Sequence, residues 1–293
     1  MSLGSTLVIS ASALSLLAGT VVYVSSGPAS ATAVAMAPRP VDLEGGRVAA
    51  RSTQEGCPQG YINRPEPNPH QNFYFTRGAY SSGMRGWGRG GGWATDFPKA
   101  DRQFLYVMQR TLGWDIFSCE NPIALDDPNL RRFPFLYMLE VGRMGLTPPE
   151  AEGLRSYLLA GGFLFIDDFW DTDEWANFER EMRRVLPAHD ITEIPEGHLI
   201  FRIIYPIEKV LQVPNQRAGS TGNPAYYGEC YRGPCTPTLR GIFDDNGRLI
   251  VLIAHNTDMG DAWEWAEQPY YPYDRSNYAF SLAFNIIAYA MAF

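Results

Sequence analysis

A continuously apolar segment between two helical patterns is the feature that most constrains the fold of this chain. Residues 163–167 follow a pair of glycines and predict a strand that is buried on both faces. Residues 147–159 and 173–186 have the periodicity of amphipathic helices, and Thr147 begins the first of them with a capping-box sequence. A strand buried on both faces needs helices on either side, so the pattern predicts a parallel sheet covered by helices.

Similar alternation continues through the chain from residue 73 onward. We predict an α/β domain over residues 73–293, with a largely parallel sheet and flanking helices. The last apolar segment, 278–291, is expected to be a closing helix; a second membrane span is the alternative, which its short length disfavours. The other predicted elements are strands 73–79, 133–140 and 248–254 and a helix that begins at Asp96 or Lys99 and ends at Leu112.

The N-terminal region, 1–26, is apolar, and the first charged side chain of the chain is Arg39. Residues 7–24 form a stretch of about 18 residues, which is sufficient for a transmembrane helix. We therefore predict a membrane anchor; a cleavable signal peptide is the alternative, because the alanine-rich residues 31–37 offer sites of the Ala-x-Ala type. Small residues share one face of this helix, where we expect contact with a partner helix: Ala11, Ser15 and Gly19.

Residues 27–72 are rich in alanine, glycine and proline and predict an extended linker between the anchor and the domain. Beyond the linker, Cys230 and Cys235 flank a short turn and predict a disulfide, with Cys57 and Cys119 as a possible second pair. Oxidised cysteines favour a location outside the cytoplasm.

The arginines that follow the apolar stretch favour the opposite orientation, but they lie at the limit of the positive-inside rule: Arg39, Arg47 and Arg51. We give more weight to the cysteines. The expected location is therefore the inner membrane, with a single span and with the domain in the periplasm.

The chain carries 24 Lys and Arg against 32 Asp and Glu, and its basic residues do not cluster. Phosphate contacts need clustered basic side chains, so the composition argues against nucleic acid as a partner. A zinc site is disfavoured because the histidines are scattered: His70, His189, His198 and His255. We expect neither a cofactor nor a metal ion.

Polar side chains occur near the ends of the predicted strands, where open parallel sheets bind ligands. His255 stands beside carboxylates, which is the outline of a general base. Hydrolases and amidotransferases of related architecture carry a nucleophile on a glycine-flanked turn, whereas residues 140–145 have the glycines without Ser or Cys. We therefore predict no catalytic residue. The polar residues in question are Arg77, Asp167, Asp168, His255 and Asp258.

An acidic run follows the buried strand, with carboxylates at Asp167, Asp168, Asp171, Asp173 and Glu174. Such a run could bind Ca²⁺ or Mg²⁺ through carboxylate oxygens. It could equally cap the amides at the start of a helix, and capping is the preferred interpretation.

The glycine-rich segment 83–92 matches neither the P-loop nor the dinucleotide-binding spacing. It predicts a surface loop that presents Trp87 and Trp93 to a partner.

Four segments of the domain are distinctive in combination: Phe75-Thr76-Arg77-Gly78, Trp93-x-x-Asp96-x-Pro98-x-x-Asp101, Gly161-Gly162-Phe163-Leu164-Phe165-Ile166-Asp167-Asp168 and Asn256-x-Asp258-x-Gly260-Asp261-Ala262-Trp263-Glu264. Together they resemble one bacterial family, the domain of unknown function DUF4159. The resemblance implies a flavodoxin-like fold akin to the class I glutamine amidotransferase superfamily, and no assigned reaction. With His255 added, the candidate ligand-binding residues are Arg77, Trp93, Asp96, Asp167, Asp168, His255, Asp258, Asp261 and Glu264.

The layout of one N-terminal helix followed by this domain resembles an accessory subunit of a bacterial photosynthetic reaction-centre and light-harvesting complex. The leading hypothesis is a non-catalytic, membrane-anchored accessory or scaffold subunit that contacts membrane lipid and docks on subunits of a larger membrane complex. The alternative is an exported hydrolase-like enzyme or a domain that binds a small polar ligand, such as a sugar. The interface candidates are Ala11, Ser15, Gly19, Trp87, Trp93, Trp263, Trp265, Tyr270 and Tyr271.

Overall fold

The computed structural model describes residues 73–82, 92–232 and 235–293, all within the predicted α/β domain. In these ranges, no helix is both long enough and apolar enough to cross a membrane. Outside the described residues lie the predictions for the anchor, the linker and the glycine-rich segment, including those for Ala11, Ser15, Gly19, Cys57 and Trp87.

The strands are β1 (Thr76–Ala79), β2 (Asn121–Ala124), β3 (Phe135–Leu139), β4 (Phe163–Asp167), β5 (Ile191–Glu193), β6 (Thr238–Phe243) and β7 (Leu249–His255). They form one seven-stranded sheet in the order β2-β1-β3-β4-β7-β6-β5. The first five strands in this order are parallel, whereas β6 and β5 are antiparallel additions at one edge. The prediction of an α/β domain with a largely parallel sheet is confirmed.

The order of the parallel strands locates the place where this sheet can bind a ligand. With β7 counted as the fifth parallel strand, the order is 2-1-3-4-5, which flavodoxin-like doubly wound sheets share. The direction of winding reverses between β1 and β3. Such a switch point opens a crevice beyond the carboxyl ends of the strands, so a ligand site is expected there.

The helices are α1 (Lys99–Leu112), α2 (Pro148–Leu159), α3 (Asp171–Val185), α4 (Gln216–Gly219), α5 (Met259–Glu264) and α6 (Tyr273–Ala292). Helices α1, α5 and α6 pack on one face of the sheet, and α2 and α3 pack on the other. Strand β4 contributes to both layers because its side chains alternate: Phe163 and Phe165 face the first layer, and Leu164 and Ile166 face the second.

Helix α6 closes the first of these layers, as the sequence predicts. Its Phe280 and Phe284 contact Phe104 of α1, with ring centroids 5.9 and 5.6 Å apart. Asn285 is fully buried, and its Oδ1 accepts hydrogen bonds from the amides of Ile204 and Tyr205 at 2.9 and 2.8 Å. The helix is therefore part of the core of the domain.

Helix α2 begins with the predicted capping box. The Thr147 hydroxyl accepts a hydrogen bond from the Glu150 amide at 3.4 Å, and Glu150 Oε2 accepts one from the Thr147 amide at 2.7 Å. Glu150 Oε1 also accepts from the Ser81 amide at 2.8 Å. The cap therefore attaches α2 to the segment that follows β1, at the edge of the sheet where the strands end.

Candidate functional site

Buried and partly buried acidic side chains converge where β4 and β7 end and where α1 and α5 begin. We call this set the acidic cluster. Asp96 lies in the turn before α1, Asp167 ends β4 and Asp168 follows it, Asp258 and Asp261 lie at the start of α5, and Glu264 ends α5. All of them are among the candidate residues that the sequence provides. The acidic cluster consists of Asp96, Asp167, Asp168, Asp258, Asp261 and Glu264.

The backbone around the acidic cluster is strained. The described non-glycine residues with a left-handed backbone are Asp96, Glu140, Asp168, Asp171 and Asn256, with φ of 60°, 54°, 50°, 63° and 61°. Each of them follows a strand or lies at the start of a helix on this edge of the sheet. Left-handed backbone in a non-glycine residue costs on the order of 1–3 kcal/mol, and such residues concentrate at ligand and active sites.

Asp167 ends β4, and its two carboxylate oxygens have different surroundings although the side chain is fully buried. Oδ2 accepts hydrogen bonds from the Tyr137 hydroxyl at 3.0 Å and from the Met259 and Gly260 amides at 2.9 and 3.1 Å. Oδ1 has no hydrogen-bond donor in the described part of the chain. Burial raises the pKa of Asp167 to about 7, although the donors to Oδ2 favour the charged form.

Asp168 and Asp258 approach each other from the ends of β4 and β7. Asp168 Oδ1 accepts from the Trp170 indole N–H at 2.9 Å, and Asp258 Oδ1 caps α5 by accepting from the Asp261 amide at 2.8 Å. Burial raises the pKa of both carboxyls well above the usual range. The next cause is repulsion, from Glu140 on Asp168 and from Asp168 on Asp258.

Asp96 connects two groups of carboxylates. Oxygens of Asp96, Asp168 and Asp258 lie within 4.8 Å of one another, and so do oxygens of Asp96, Asp261 and Glu264. Burial and then the Asp261 charge raise the pKa of Asp96 well above its usual range, and they raise that of Glu264 to about 7. Like charges this close are not all ionised without compensation, so the cluster holds either protons or an added positive charge.

Arg77 lies beneath the acidic cluster and does not reach an open surface. The fully buried side chain donates two hydrogen bonds to the Asp101 carboxylate, from Nε at 3.1 Å and from Nη2. Nη1 donates to the backbone carbonyls of Trp93 and Thr95 at 3.1 and 2.8 Å. Burial disfavours the charged guanidinium, but the charge and hydrogen bonds of Asp101, together with Tyr137 and Asp96, outweigh burial and raise the pKa of Arg77. Arg77 therefore holds the turn that carries Asp96, rather than binding a ligand itself.

His255 does not form the pair of base and carboxylate that the sequence suggests. Its ring packs against Phe169 and Trp175, with centroids 4.7 and 5.0 Å away. Nε2 lies 3.1 Å from the backbone carbonyl oxygen of Asp171. Burial lowers the pKa of His255 to about 4, so the neutral ring supports this backbone and is a poor general base at neutral pH.

The acidic run after β4 divides between two roles. Asp167 and Asp168 belong to the acidic cluster, and the remaining carboxylates lie in the first turn of α3: Asp171, Asp173 and Glu174. Glu174 Oε2 accepts a hydrogen bond from the Trp170 amide at 2.8 Å, so it satisfies a free amide at the helix start. The second half of the run thus lies at the capped start of α3. In the first half, Asp167 and Asp168 converge with carboxylates that are distant in sequence.

The aromatic residues predicted to form an interface differ in exposure. Trp263 is fully buried among aromatic rings of the core, and Tyr271 is only 5% exposed. Neither can present a surface to a partner, which corrects the expectation from sequence. Trp93 and Trp265 are partly buried, and Tyr270 is exposed.

Trp265 contacts both Asp261 of the acidic cluster and Lys99 beside it. Its indole N–H donates to Asp261 Oδ1 at 3.1 Å, and the Lys99 ammonium lies 3.5 Å from the centroid of its ring. Lys99 Nζ is also 3.3 Å from Glu267 Oε1. The charge of Lys99 is thus shared between an aromatic face and a carboxylate outside the acidic cluster.

Two acidic residues of this edge are absent from the candidates that the sequence provides. Glu140 directly follows β3, and its amide donates to the Asp168 carbonyl at 2.9 Å. Burial is the main cause that raises the pKa of Glu140 and of Glu229 to about 7. The position of Glu140 after a parallel strand is a usable signal. Glu229 lies in a loop, where no pattern marks it.

The predicted disulfide between Cys230 and Cys235 is present, with Cα atoms 5.5 Å apart. The loop that it closes contacts the start of α3, because the amides of Tyr231 and Arg232 donate to Asp171 Oδ2 at 2.9 and 2.8 Å. Cys119 is disulfide-bonded as well, and its predicted partner lies outside the described residues.

An open groove of about 780 Å³ lies between the turn after β3, the start of α3 and the disulfide loop. Charged residues of both signs line it, including Arg143, Asp173, Glu174, Arg180 and Arg232. Several of them pair with one another: Arg143 with Glu174 at 3.1 Å and Arg232 with Asp173 at 3.2 Å. No member of the acidic cluster lines this groove.

The fold and the site define an α/β protein with a doubly wound sheet and a buried acidic site beyond its strand ends. Residues 80–291 match the family described as "Domain of unknown function (DUF4159)". The chain therefore belongs to the DUF4159 family, which confirms the resemblance drawn from the four sequence segments. No curated protein matches the chain.

Proposed function

We propose that the domain is a non-catalytic binding domain whose ligand carries positive charge and occupies the acidic cluster. The observation that carries this proposal is the convergence of buried and partly buried carboxylates from three parts of the fold: the turn before α1, the end of β4 and helix α5 with its N-cap. Buried carboxylates are costly unless they are paired, and groups with strongly shifted pKa values concentrate at functional sites.

The basic side chains whose charges act on these carboxylates already have acidic partners outside the cluster. The pairs are Arg77 with Asp101 and Lys99 with Glu267. The negative charge of the acidic cluster is therefore left for a ligand to compensate. A cationic ligand would gain Coulomb energy there that it does not gain at an exposed surface, because burial lowers the effective dielectric constant.

A binding role accounts better than acyl-transfer catalysis for the residues at the edge of the sheet where the strands end. The turn after β3 carries Glu140 at the position where related enzymes carry a Ser or Cys nucleophile. His255 is bonded to a backbone carbonyl, and its pKa is lowered to about 4. Neither residue supplies the activated nucleophile or the base that acyl transfer needs.

A panel of cationic and neutral compounds tests the proposal through thermal unfolding of the full-length chain. Putrescine, glucosamine or divalent metal chlorides are expected to raise the unfolding temperature, because a ligand that binds only the folded state stabilises it. Sodium chloride at equal ionic strength is the control for screening. The Asp168→Asn variant keeps an acceptor for the Trp170 indole but loses the charge, so its response should be lost. Stabilisation by a neutral sugar such as glucose, with no effect of any cation, would contradict the proposal.

A second proposal concerns the setting of the domain, as an accessory subunit docked on a larger membrane complex, for instance a photosynthetic reaction-centre and light-harvesting complex. Exposed tyrosines favour it, since tyrosine is enriched at interface hot spots. Tyr226, Tyr231, Tyr270 and Tyr273 are 63, 91, 43 and 52% exposed. The proposed anchor at residues 1–26 would hold the domain on the periplasmic side of the inner membrane.

Deleting residues 1–26 is expected to move the domain from the membrane fraction to the soluble fraction, because the proposed membrane contact lies in residues 7–24. The measurement is fractionation and affinity purification of full-length and truncated chains that carry the same C-terminal tag. The mass of the purified full-length product separates a retained anchor from a cleaved signal peptide. Co-purification of the truncated chain with the same membrane proteins would contradict the anchoring role.

A further inference from the structure

We propose that the cationic ligand is a hard divalent metal ion, with Ca²⁺ as the best fit, bound between Asp96, Asp168 and Asp258. This inference rests on the proposed function, because it names the ligand of the same site. The three carboxylates come from different segments, and oxygens from each lie within 4.8 Å of one another. Ligand oxygens bind Ca²⁺ at 2.3–2.6 Å, so two of them on opposite sides of an ion are about 5 Å apart. The observed spacing therefore allows one ion to contact all three.

The donor set selects the class of metal. Asp261 and Glu264 extend the set through their own approach to Asp96, and every donor is a carboxylate oxygen. His255 is directed to a backbone carbonyl, and the nearby Cys230 is in a disulfide. Zinc sites favour nitrogen and sulfur ligands, and Mg²⁺ keeps much of its water, whereas Ca²⁺ accepts many protein oxygens. The cluster therefore fits Ca²⁺ best.

Unsatisfied oxygens provide an observation that is independent of the clustering itself. Asp167 is fully buried, and its Oδ1 has no donor among the described residues, although Oδ2 accepts three hydrogen bonds. Asp96 Oδ2 is likewise inaccessible to solvent and has no donor in the same part of the chain. Buried carboxylate oxygens are normally satisfied, so each of these atoms lacks a partner, which a bound cation would supply.

Gly260 keeps the space between the carboxylates open. A Cβ atom at this position would lie 2.5 Å from Asp96 Oδ2 and 3.5 Å from Asp258 Oδ1. The Gly260 amide donates to Asp167 Oδ2 at the same time. Gly260 is in α5 without a left-handed backbone, so the requirement for glycine here is one of space and not of backbone conformation.

Neutral donors around the site orient its carboxylates. The Trp170 indole bonds to Asp168, the Asp261 amide bonds to Asp258, and the Tyr137 hydroxyl bonds to Asp167. Such outer contacts fix the direction of ligand oxygens before a metal arrives. Each donor uses one oxygen or one lone pair of a carboxylate and adds no positive charge. The negative charge of the carboxylates therefore stays uncompensated until a cation binds.

Calorimetric titration of the full-length chain, after EDTA treatment and dialysis, tests this inference. Ca²⁺ is expected to bind with a single-site isotherm and more tightly than Mg²⁺ or putrescine. Asp258→Asn keeps the cap acceptor for α5 and is expected to weaken Ca²⁺ binding by at least about tenfold. Asp173→Asn is the matched control, because Asp173 is an exposed acid outside the cluster and its substitution should leave affinity unchanged.

A second pair of variants tests the proposed metal site without changing the charge of its carboxylates. Gly260→Ala should fold, since alanine suits a helix and the atoms that its Cβ meets lie at the ends of the Asp96, Tyr137 and Asp258 side chains, but it should bind Ca²⁺ at least about tenfold more weakly. Gly197→Ala, where a Cβ has open space, should bind as the wild type does. Circular dichroism of every variant verifies folding.

The outcomes separate the inference from the proposed function. Putrescine binding without any metal binding would overturn the metal inference and leave the cationic-ligand proposal standing. No binding of any cation would overturn both. Ca²⁺ binding that survives unchanged in Asp258→Asn and Gly260→Ala would place the metal elsewhere and overturn the inference.

Discussion

Replacing Arg77 with methionine is expected to lower the free energy of unfolding by about 3–5 kcal/mol, the usual cost of breaking a buried ion pair from one side. The substitution leaves the buried Asp101 carboxylate without its cation and removes the donors to the Trp93 and Thr95 carbonyls. Methionine fills a similar volume, so the loss reports the charge and the hydrogen bonds. Urea denaturation followed by circular dichroism measures it.

Two further variants control for this prediction. Arg102→Met removes a partly exposed pair between Arg102, next to Asp101 in α1, and Glu120, whose carboxylate lies 2.6 Å from Arg102 Nη2; this substitution should cost less than about 1 kcal/mol. The double variant Arg77→Met with Asp101→Leu removes both buried charges and should recover part of the loss. A loss in Arg77→Met no larger than that in Arg102→Met would show that the buried pair does not support the fold.

Without divalent ions, the free energy of unfolding is expected to fall as the pH rises from about 5 to about 8. Burial raises the pKa of Asp167 to about 7 in the folded domain, and the pKa returns to about 4 on unfolding. Between these values the folded domain holds a proton that the unfolded chain has released. The stability that is complete below about pH 4 is therefore lost as the pH rises through about 7, by roughly 4 kcal/mol for Asp167 alone.

Other groups modify this profile. Glu264, with a pKa of about 7, acts as Asp167 does, and the more strongly raised pKa values of Asp168 and Asp258 extend the decline above pH 7. His255 opposes them, because its pKa is lowered to about 4 and its contribution is lost as the pH falls below about 6.5. The carboxylates outnumber it, so the net slope is expected to be a decline.

Urea denaturation at a series of pH values, with EDTA or with Ca²⁺, measures the profile. Ca²⁺ should flatten it, since an ion compensates the carboxylates after they lose their protons. Asp258→Asn should be more stable than the wild type at pH 8 in EDTA, because it removes one of the repelling charges and retains the cap. A profile in EDTA that is flat or rises with pH would contradict the prediction.

The acidic edge is thus expected to lower the stability of the domain in the absence of ligand. Buried carboxylates repel one another there, and residues such as Asp96 and Asp168 adopt left-handed backbone. Sites of function are where proteins keep such unfavourable arrangements. The combination of strain and uncompensated charge in one place is therefore the physical argument for a binding site.

Much of the fold follows from local pattern. The capping box at Thr147, the buried strand β4 and the closing helix α6 appear as the sequence predicts. Strands β2, β5 and β6 are absent from the predicted elements, because β2 begins with Asn-Pro, β5 is three residues long and β6 is interrupted by Gly241. Such strands form through pairing with a neighbour rather than through their own propensity.

The sequence predicts which residues form the candidate site, but not the contacts that they make. The four sequence segments that resemble the family contain every carboxylate of the acidic cluster. They do not reveal that Arg77 pairs with Asp101 or that His255 Nε2 lies against a backbone carbonyl. Those outcomes depend on burial, which no single segment reveals. The same holds for Glu229, whose loop reaches the edge only in the folded chain.

The alternation of helices and strands, the helix caps and the Cys230–Cys235 disulfide follow from residues that are close in sequence, because the interactions that form them are local. The acidic cluster has a different origin. Asp167 meets the Met259 amide across a sequence separation of 92, and that contact exists because β4 and β7 are neighbours in the parallel sheet. Strand order and burial therefore decide which carboxylates converge, and the uncompensated charge is a property of their packing.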